Sequence, residues 1–93
     1  MNKYESVIIV NPNTDEAGLK ALEEKFTGLI NENGKVESVE NMGKKRLAYD
    51  IQKCKEGIYL LFNFEAKPDS IKELERVYRI TDEIMKFIVV KKD

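Results

Sequence analysis

Three consecutive cations, Lys44, Lys45 and Arg46, stand directly before the apolar-alternating run Leu47-Ala48-Tyr49-Asp50-Ile51. Lysine binds phosphate as a compact charge and arginine through a planar fork of donors. An alternating run reads as a β-strand, which fixes the direction of each side chain, so this placement aims charge at something. Phosphate contact is one use for it. The other is protection of a sheet edge, where lysine discourages edge-to-edge aggregation. The residues alone leave the two open. Lys86, Lys91 and Lys92 in the last apolar stretch would extend a basic rim or, more simply, solubilise an edge.

Catalysis has little to work with. Histidine is absent and cysteine occurs once, which removes most metal sites and all histidine-based acid–base chemistry. Cys54 sits between Lys53 and Lys55 without a base, so a plain thiol near a strand end is the simpler reading. The pairs Asp15/Glu16, Glu23/Glu24 and Asp82/Glu83 are adjacent in sequence and read as helix-terminal or solvent-facing charge rather than carboxylate dyads. No glycine-rich loop of strand–loop–helix form is present to cradle phosphate. The cations near Lys44 lack the glycine-flanked loop that acyl-phosphate hydrolysis by an arginine and an asparagine would need. No catalytic residue, metal, cofactor or small-molecule substrate is expected, and the chain is not expected to be an enzyme.

Charge is unevenly spread. The chain holds 16 basic and 17 acidic residues, a net charge of −1, where a protein that binds nucleic acid unaided would usually be basic. Residues 44–55 carry five cations against Asp50 alone, and residues 84–93 carry three against Asp93. Residues 13–34 carry two cations against five anions. The single cysteine cannot close an intramolecular disulfide, no secretory segment is expected before the fold, and no apolar run approaches about 18 residues. A cytoplasmic protein with no membrane contact is the economical reading.

Ninety-three residues are expected to make a single domain, 1–93. Surface scaling predicts roughly 5,500 Å² for the folded chain against about 15,700 Å² unfolded. Residues 3–10 are rich in β-branched side chains and end at Asn11-Pro12-Asn13, a turn signal. A helix follows, capped by Asn13 or Thr14, with Leu19, Leu22, Phe26, Leu29 and Ile30 forming one stripe. Asn33-Gly34 is expected to close it with residues that tolerate left-handed geometry. Residues 36–42 and the run from Leu47 to Ile51 are strand-like but of opposite parity, which predicts a bulge near Met42-Gly43. Glu56-Gly57 is expected to begin the return. In residues 58–65, Ile58, Leu60, Phe62 and Phe64 point one way and Tyr59, Leu61, Asn63 and Glu65 the other. Pro68 opens a second helix striped by Ile71, Leu74 and Val77 or Tyr78. Residues 84–91 form the last strand.

The order β-α-β-β-α-β predicts an α+β fold of ferredoxin-like type: a four-stranded antiparallel sheet, order 4-1-3-2, with two helices on one face. The other face is open, and its mixed apolar and polar occupants suggest a partner surface or scattered apolar residues. RNA-recognition motifs share this topology and stack bases on sheet aromatics. Here Ile58 and Leu60 stand where aromatics would be expected, so base stacking on the sheet is not.

The spelling adds more. Gly43-Lys44-Lys45-Arg46-Leu47-Ala48-Tyr49-Asp50-Ile51 resembles the signature of the bacterial small-subunit ribosomal protein six family, in which glycine, two or three basic residues and Leu-Ala-Tyr-x-Ile lie on the second strand. Tyr4-Glu5, Asn11-Pro12-Asn13, Gly57-Ile58-Tyr59 and Arg79-Ile80-Thr81-Asp82 agree in order and spacing, so the resemblance spans essentially the whole chain. Asp50 departs from it, standing where many members have proline, and so does Met42, in a frequently aromatic or leucine position. The long acidic tail of some members is not expected. The resemblance implies a non-catalytic constituent of the 30S subunit that pairs with small-subunit ribosomal protein eighteen and docks on the central domain of 16S rRNA. A basic partner would supply much of the phosphate neutralisation that a weakly acidic chain lacks. On this reading Lys44, Lys45 and Arg46, with Arg79, Lys3 and Lys86, contact rRNA, while Tyr49, Tyr59 and Leu61 order the hairpin or meet the partner protein. The rival is a ferredoxin-like protein–protein or ligand-sensing module unconnected with RNA, a self-pairing one included.

Overall fold

A computed structural model describes residues 1–92 of the chain. The elements are β1 (Asn2–Val10), α1 (Glu16–Asn31), β2 (Gly34–Ile51), β3 (Cys54–Ala66), α2 (Pro68–Ile80) and β4 (Ile84–Lys91). The strands form one antiparallel sheet in the order β2-β3-β1-β4, the expected 4-1-3-2 read from the other edge. Its accessible surface, 5841 Å², is close to the value that chain mass alone predicts.

The core lies between the helices and one sheet face. Period-two alternation in β3 delivers Ile58, Leu60, Phe62 and Phe64 to that side, where Ile8 and Val10 of β1 join them. The helical stripes Leu19, Leu22, Phe26 and Ile30 of α1 and Leu74 and Tyr78 of α2 close over them. One polar pair crosses this layer: the Tyr78 and Ser6 hydroxyls lie 2.8 Å apart, sharing a hydrogen bond. Burial pushes the Tyr78 phenol up to about 12, against the opposing pull of the Ser6 bond. Among the described residues no buried side-chain polar atom lacks a partner.

Three local expectations need correction. The cap of α1 is Asp15, whose Oδ1 accepts from the Gly18 N–H at 2.8 Å, and not Asn13 or Thr14. The reason is a turn upstream: Asn11 accepts from the Asn13 N–H through its side chain and from the Thr14 N–H through its carbonyl. The helix therefore starts only after Asp15. At its far end Gly34 is not left-handed; Gly43, Gln52 and Lys53 are the positive-φ residues among those described. Gly34 already pairs with Ala66, and a Cβ there would collide with the Glu65 carbonyl oxygen. Close approach of two strands demands this glycine.

The third correction is the return of the hairpin. It begins at Cys54, after a two-residue turn of Gln52 (φ 50°) and Lys53 (φ 66°), which matches the left-handed pattern that suits the twist of flanking strands. Glu56-Gly57 lies within β3 instead. The bulge near Met42-Gly43 is present: the β2–β3 register shifts between Asn41 and Gly43, and Gly43 takes φ 82°. The extra residue re-phases β2, so Val39 packs on the core opposite Phe62 while Lys45 faces the other way opposite Gly57.

Candidate nucleic-acid interface

The cation triplet lies on the outermost strand of the sheet, and all three side chains are exposed. Because a strand alternates, the triplet divides. Lys44 pairs with Ile58 and Arg46 with Glu56, on the helix side, whereas Lys45 pairs with Gly57 on the open side. There the Lys45 ammonium lies 5.7 Å from the centre of the Tyr59 ring. Lys53 and Lys55 continue the basic run through the turn and into β3.

Beyond Arg46 the hairpin departs from regular pairing. The ladder stops at Arg46–Glu56 and resumes at Ile51–Cys54, so residues 47–50 stand opposite Lys55 alone. The surplus folds over the open face. Leu47 is buried at 9% exposure and, with Ile9 and Met85, crowds the space that a Cβ on Gly57 would occupy. Tyr49, 62% exposed, reaches across to β4, where the Lys86 ammonium donates to its hydroxyl at 2.7 Å. Val7, Ile9, Leu47, Ile51, Tyr59 and Ile88 line a groove of about 220 Å³ between the folded tip and the sheet.

Farther along this face the character changes. Lys92 donates to Asn63 at 3.1 Å, and Asn63 in turn donates to Ser38 at 3.0 Å. Glu5 lies 3.7 Å from the Lys92 ammonium. These bridges tie the end of the chain across three strands. Leu61 sits between the groove and this network, opposite Val7 on β1 and Glu40 on β2. Ile88 and Val90 of β4 are both half exposed.

Of the residues named from sequence, the fold brings Lys45, Tyr49, Tyr59 and Lys86 together around one groove. Arg79, in the last turn of α2, stacks 5.9 Å above the Phe87 ring and borders a depression shared with Gln52 and Lys86. Lys3 stands apart. It pairs with Glu65, about 20 Å along β1 from the positions level with the basic hairpin. Sequence reasoning missed Leu47 and Gly57 as the packing that folds the tip over. Gly57 inside a strand pattern was the available signal, because such a glycine marks close approach. It also missed the Lys92–Asn63–Ser38 network, which no local pattern announces.

Among the described residues no group of three or more His, Cys, Asp or Glu could hold a metal ion, and no helix is long and apolar enough to cross a membrane. Comparison with known proteins is consistent throughout. The family described as ribosomal protein S6 matches residues 3–91. The small ribosomal subunit protein bS6 of Clostridium perfringens strain SM101 is 50% identical over 94 residues, covering 100% of this chain and 99% of that one. Its counterpart in Clostridium novyi strain NT is 52% identical over 91 residues, covering 97% of this chain and 96% of that one. The crystal structure of 30S ribosomal protein S6 from Thermotoga maritima superposes with a TM-score of 0.92 at 35% identity, covering 98% of this chain and 87% of that one. Sequence, family match and fold agree along the whole length: the chain belongs to the ribosomal protein S6 family, non-enzymatic proteins of the small ribosomal subunit.

Proposed function

We propose that this protein binds the central domain of 16S rRNA together with small-subunit ribosomal protein eighteen, as a structural constituent of the 30S subunit. The observation that carries this reading is the exposed basic hairpin, with Lys44, Lys45, Arg46, Lys53 and Lys55 on one projecting element of a chain whose net charge is −1. Local charge of one sign on a nearly neutral molecule favours a shared interface, in which the hairpin meets phosphate and a basic partner neutralises the rest. The open face, with Tyr49 and Tyr59 on an apolar groove and Leu61 beyond it opposite Val7, offers the partner protein area rather than charge. Arg79 extends the cationic surface from α2. Lys3, at the far end of β1, would reach a different stretch of backbone.

Reversing Lys44, Lys45 and Arg46 to glutamate tests this directly. Binding of the protein pair to a central-domain rRNA fragment should weaken. Its dependence on salt should flatten by about 0.7–0.9 in log–log slope for each phosphate no longer neutralised. Unchanged affinity and slope would assign the triplet to edge protection. Cosedimentation with 30S particles at high salt checks the wider reading; absence from the particle, with a stable homodimer in solution, would favour a self-pairing module.

A further inference from the structure

We propose that Lys86 is a positioning residue, which clasps Tyr49 and thereby holds the basic hairpin tip over the open face, instead of contacting phosphate itself. The inference rests on the RNA-binding reading given above. Lys86 lies on β4 and Tyr49 on β2, at opposite edges of a sheet whose two middle strands, β3 and β1, separate them. Two contacts nevertheless join them. The ammonium donates to the Tyr49 hydroxyl at 2.7 Å and stands 5.3 Å from the centre of the same ring. A lysine so engaged has committed a donor and the preferred approach of its charge to a neighbour within the fold.

The tip needs such a clasp because its own ladder does not hold it. Four residues, 47–50, stand opposite one, and the turn beyond them places two non-glycine residues in left-handed geometry. Glycines sit on both strands just before the irregular stretch, Gly43 at φ 82° and Gly57, where a Cβ would meet Ile9 and Met85. Gly43 gives β2 its left-handed residue, and Gly57 leaves the space into which Leu47 of the tip packs. Leu47 anchors the near end of the tip, and the Tyr49–Lys86 pair anchors the far end. Fixing the tip fixes where Lys45, Lys53 and Lys55 present their charge, so a residue on the opposite edge of the sheet governs the cationic surface.

A double-mutant cycle on Lys86→Met and Tyr49→Leu separates clasp from contact, since methionine and leucine keep apolar bulk without the charge, hydroxyl or aromatic ring. Each single change should speed amide hydrogen exchange at residues 48–53 by roughly fivefold, with the amides of β1 unchanged. The double change should add little to either. Lys86→Arg, which retains a donor and a cation over the ring, should restore slow exchange. In binding to the rRNA fragment, Lys86→Met should lower affinity while leaving the salt slope intact. A slope reduced by about 0.7–0.9 with hairpin exchange unaltered would make Lys86 a phosphate contact and overturn the proposal. Additive effects of the two changes on exchange would overturn it as well. Should the unaltered protein fail to bind rRNA, the RNA reading falls, and the exchange cycle still decides whether the clasp exists.

Discussion

The two faces of the sheet are built from the same four strands and treat their side chains in opposite ways. The helix face is a filled apolar layer in which Phe26, Phe62, Phe64, Leu60 and Ile8 are essentially inaccessible and one hydroxyl pair crosses between sheet and helix. The open face is a patchwork: an apolar groove under the hairpin tip, a bridge from Lys92 through Asn63 to Ser38, and cations along its rim. The difference separates stability from recognition. Apolar burial is proportional to area and indifferent to direction, so it holds the fold. Half-exposed groups with fixed directions are what a partner can read. The glycines differ by surroundings too: Gly34 and Gly57 sit where neighbours leave no room for a Cβ, whereas Gly28 on α1 has open space around its Cα.

The largest expected effect lies on the helix face. Phe62→Ala should cost about 3–5 kcal/mol through reduced burial and the cavity left behind. Its neighbour Leu61→Ala, half-buried on the open face, should cost only about 1 kcal/mol. Urea midpoints of the two variants measure the contrast, and equal losses would erase it. Next comes alkali. The Tyr78 phenol sits at about 12 in the fold, against about 10 for an unperturbed tyrosine. Its folded value is raised, so this contribution is complete below pH 10 and drains away as pH climbs from 10 to 12. The loss reaches about 3 kcal/mol. The double variant Tyr78→Phe/Ser6→Ala removes phenol and partner together and should flatten that stretch of the stability–pH curve; an unchanged curve would assign the effect to other groups.

A pair of glycines sharpens the contrast at smaller scale. Gly57→Ala would push a methyl into Ile9 and Met85 and should destabilise by about 1–3 kcal/mol while loosening the hairpin tip. Gly28→Ala, exposed in the last turn of α1 with nothing within 4 Å of the added Cβ, should instead stabilise by about 0.5–1 kcal/mol. Thermal unfolding distinguishes the two signs.

Much of this was legible in the chain. The alternation of Ile58, Leu60, Phe62 and Phe64 assigned the buried side of β3, and the bulge expected near Met42-Gly43 is found at Gly43. The family followed from spelling in the block beginning at Gly43. What escaped was set by contacts that no short window of sequence contains. Asp15 displaced Asn13 as the cap because Asn11 holds residues 11–14 in a turn, so the helix opens only at Glu16. Gly57 read as a turn because glycine serves both turns and close packing, and only Ile9 and Met85 from other strands tell which.

Element order, sheet topology, the composition of the core and a basic block on the second strand were all written in the order of residues. Those depend on periodicity and parity, which are local and repeat along the chain. How that block is presented emerged only on folding. Packing left Lys3 at the far end of the sheet and laid Lys86 across the open face onto Tyr49. A charge's role depends on which neighbour lies within a few ångströms of it, and proximity on that scale is a property of the assembled sheet. For Lys86 that neighbour is 37 residues away in sequence, across two strands that no local pattern could place between them.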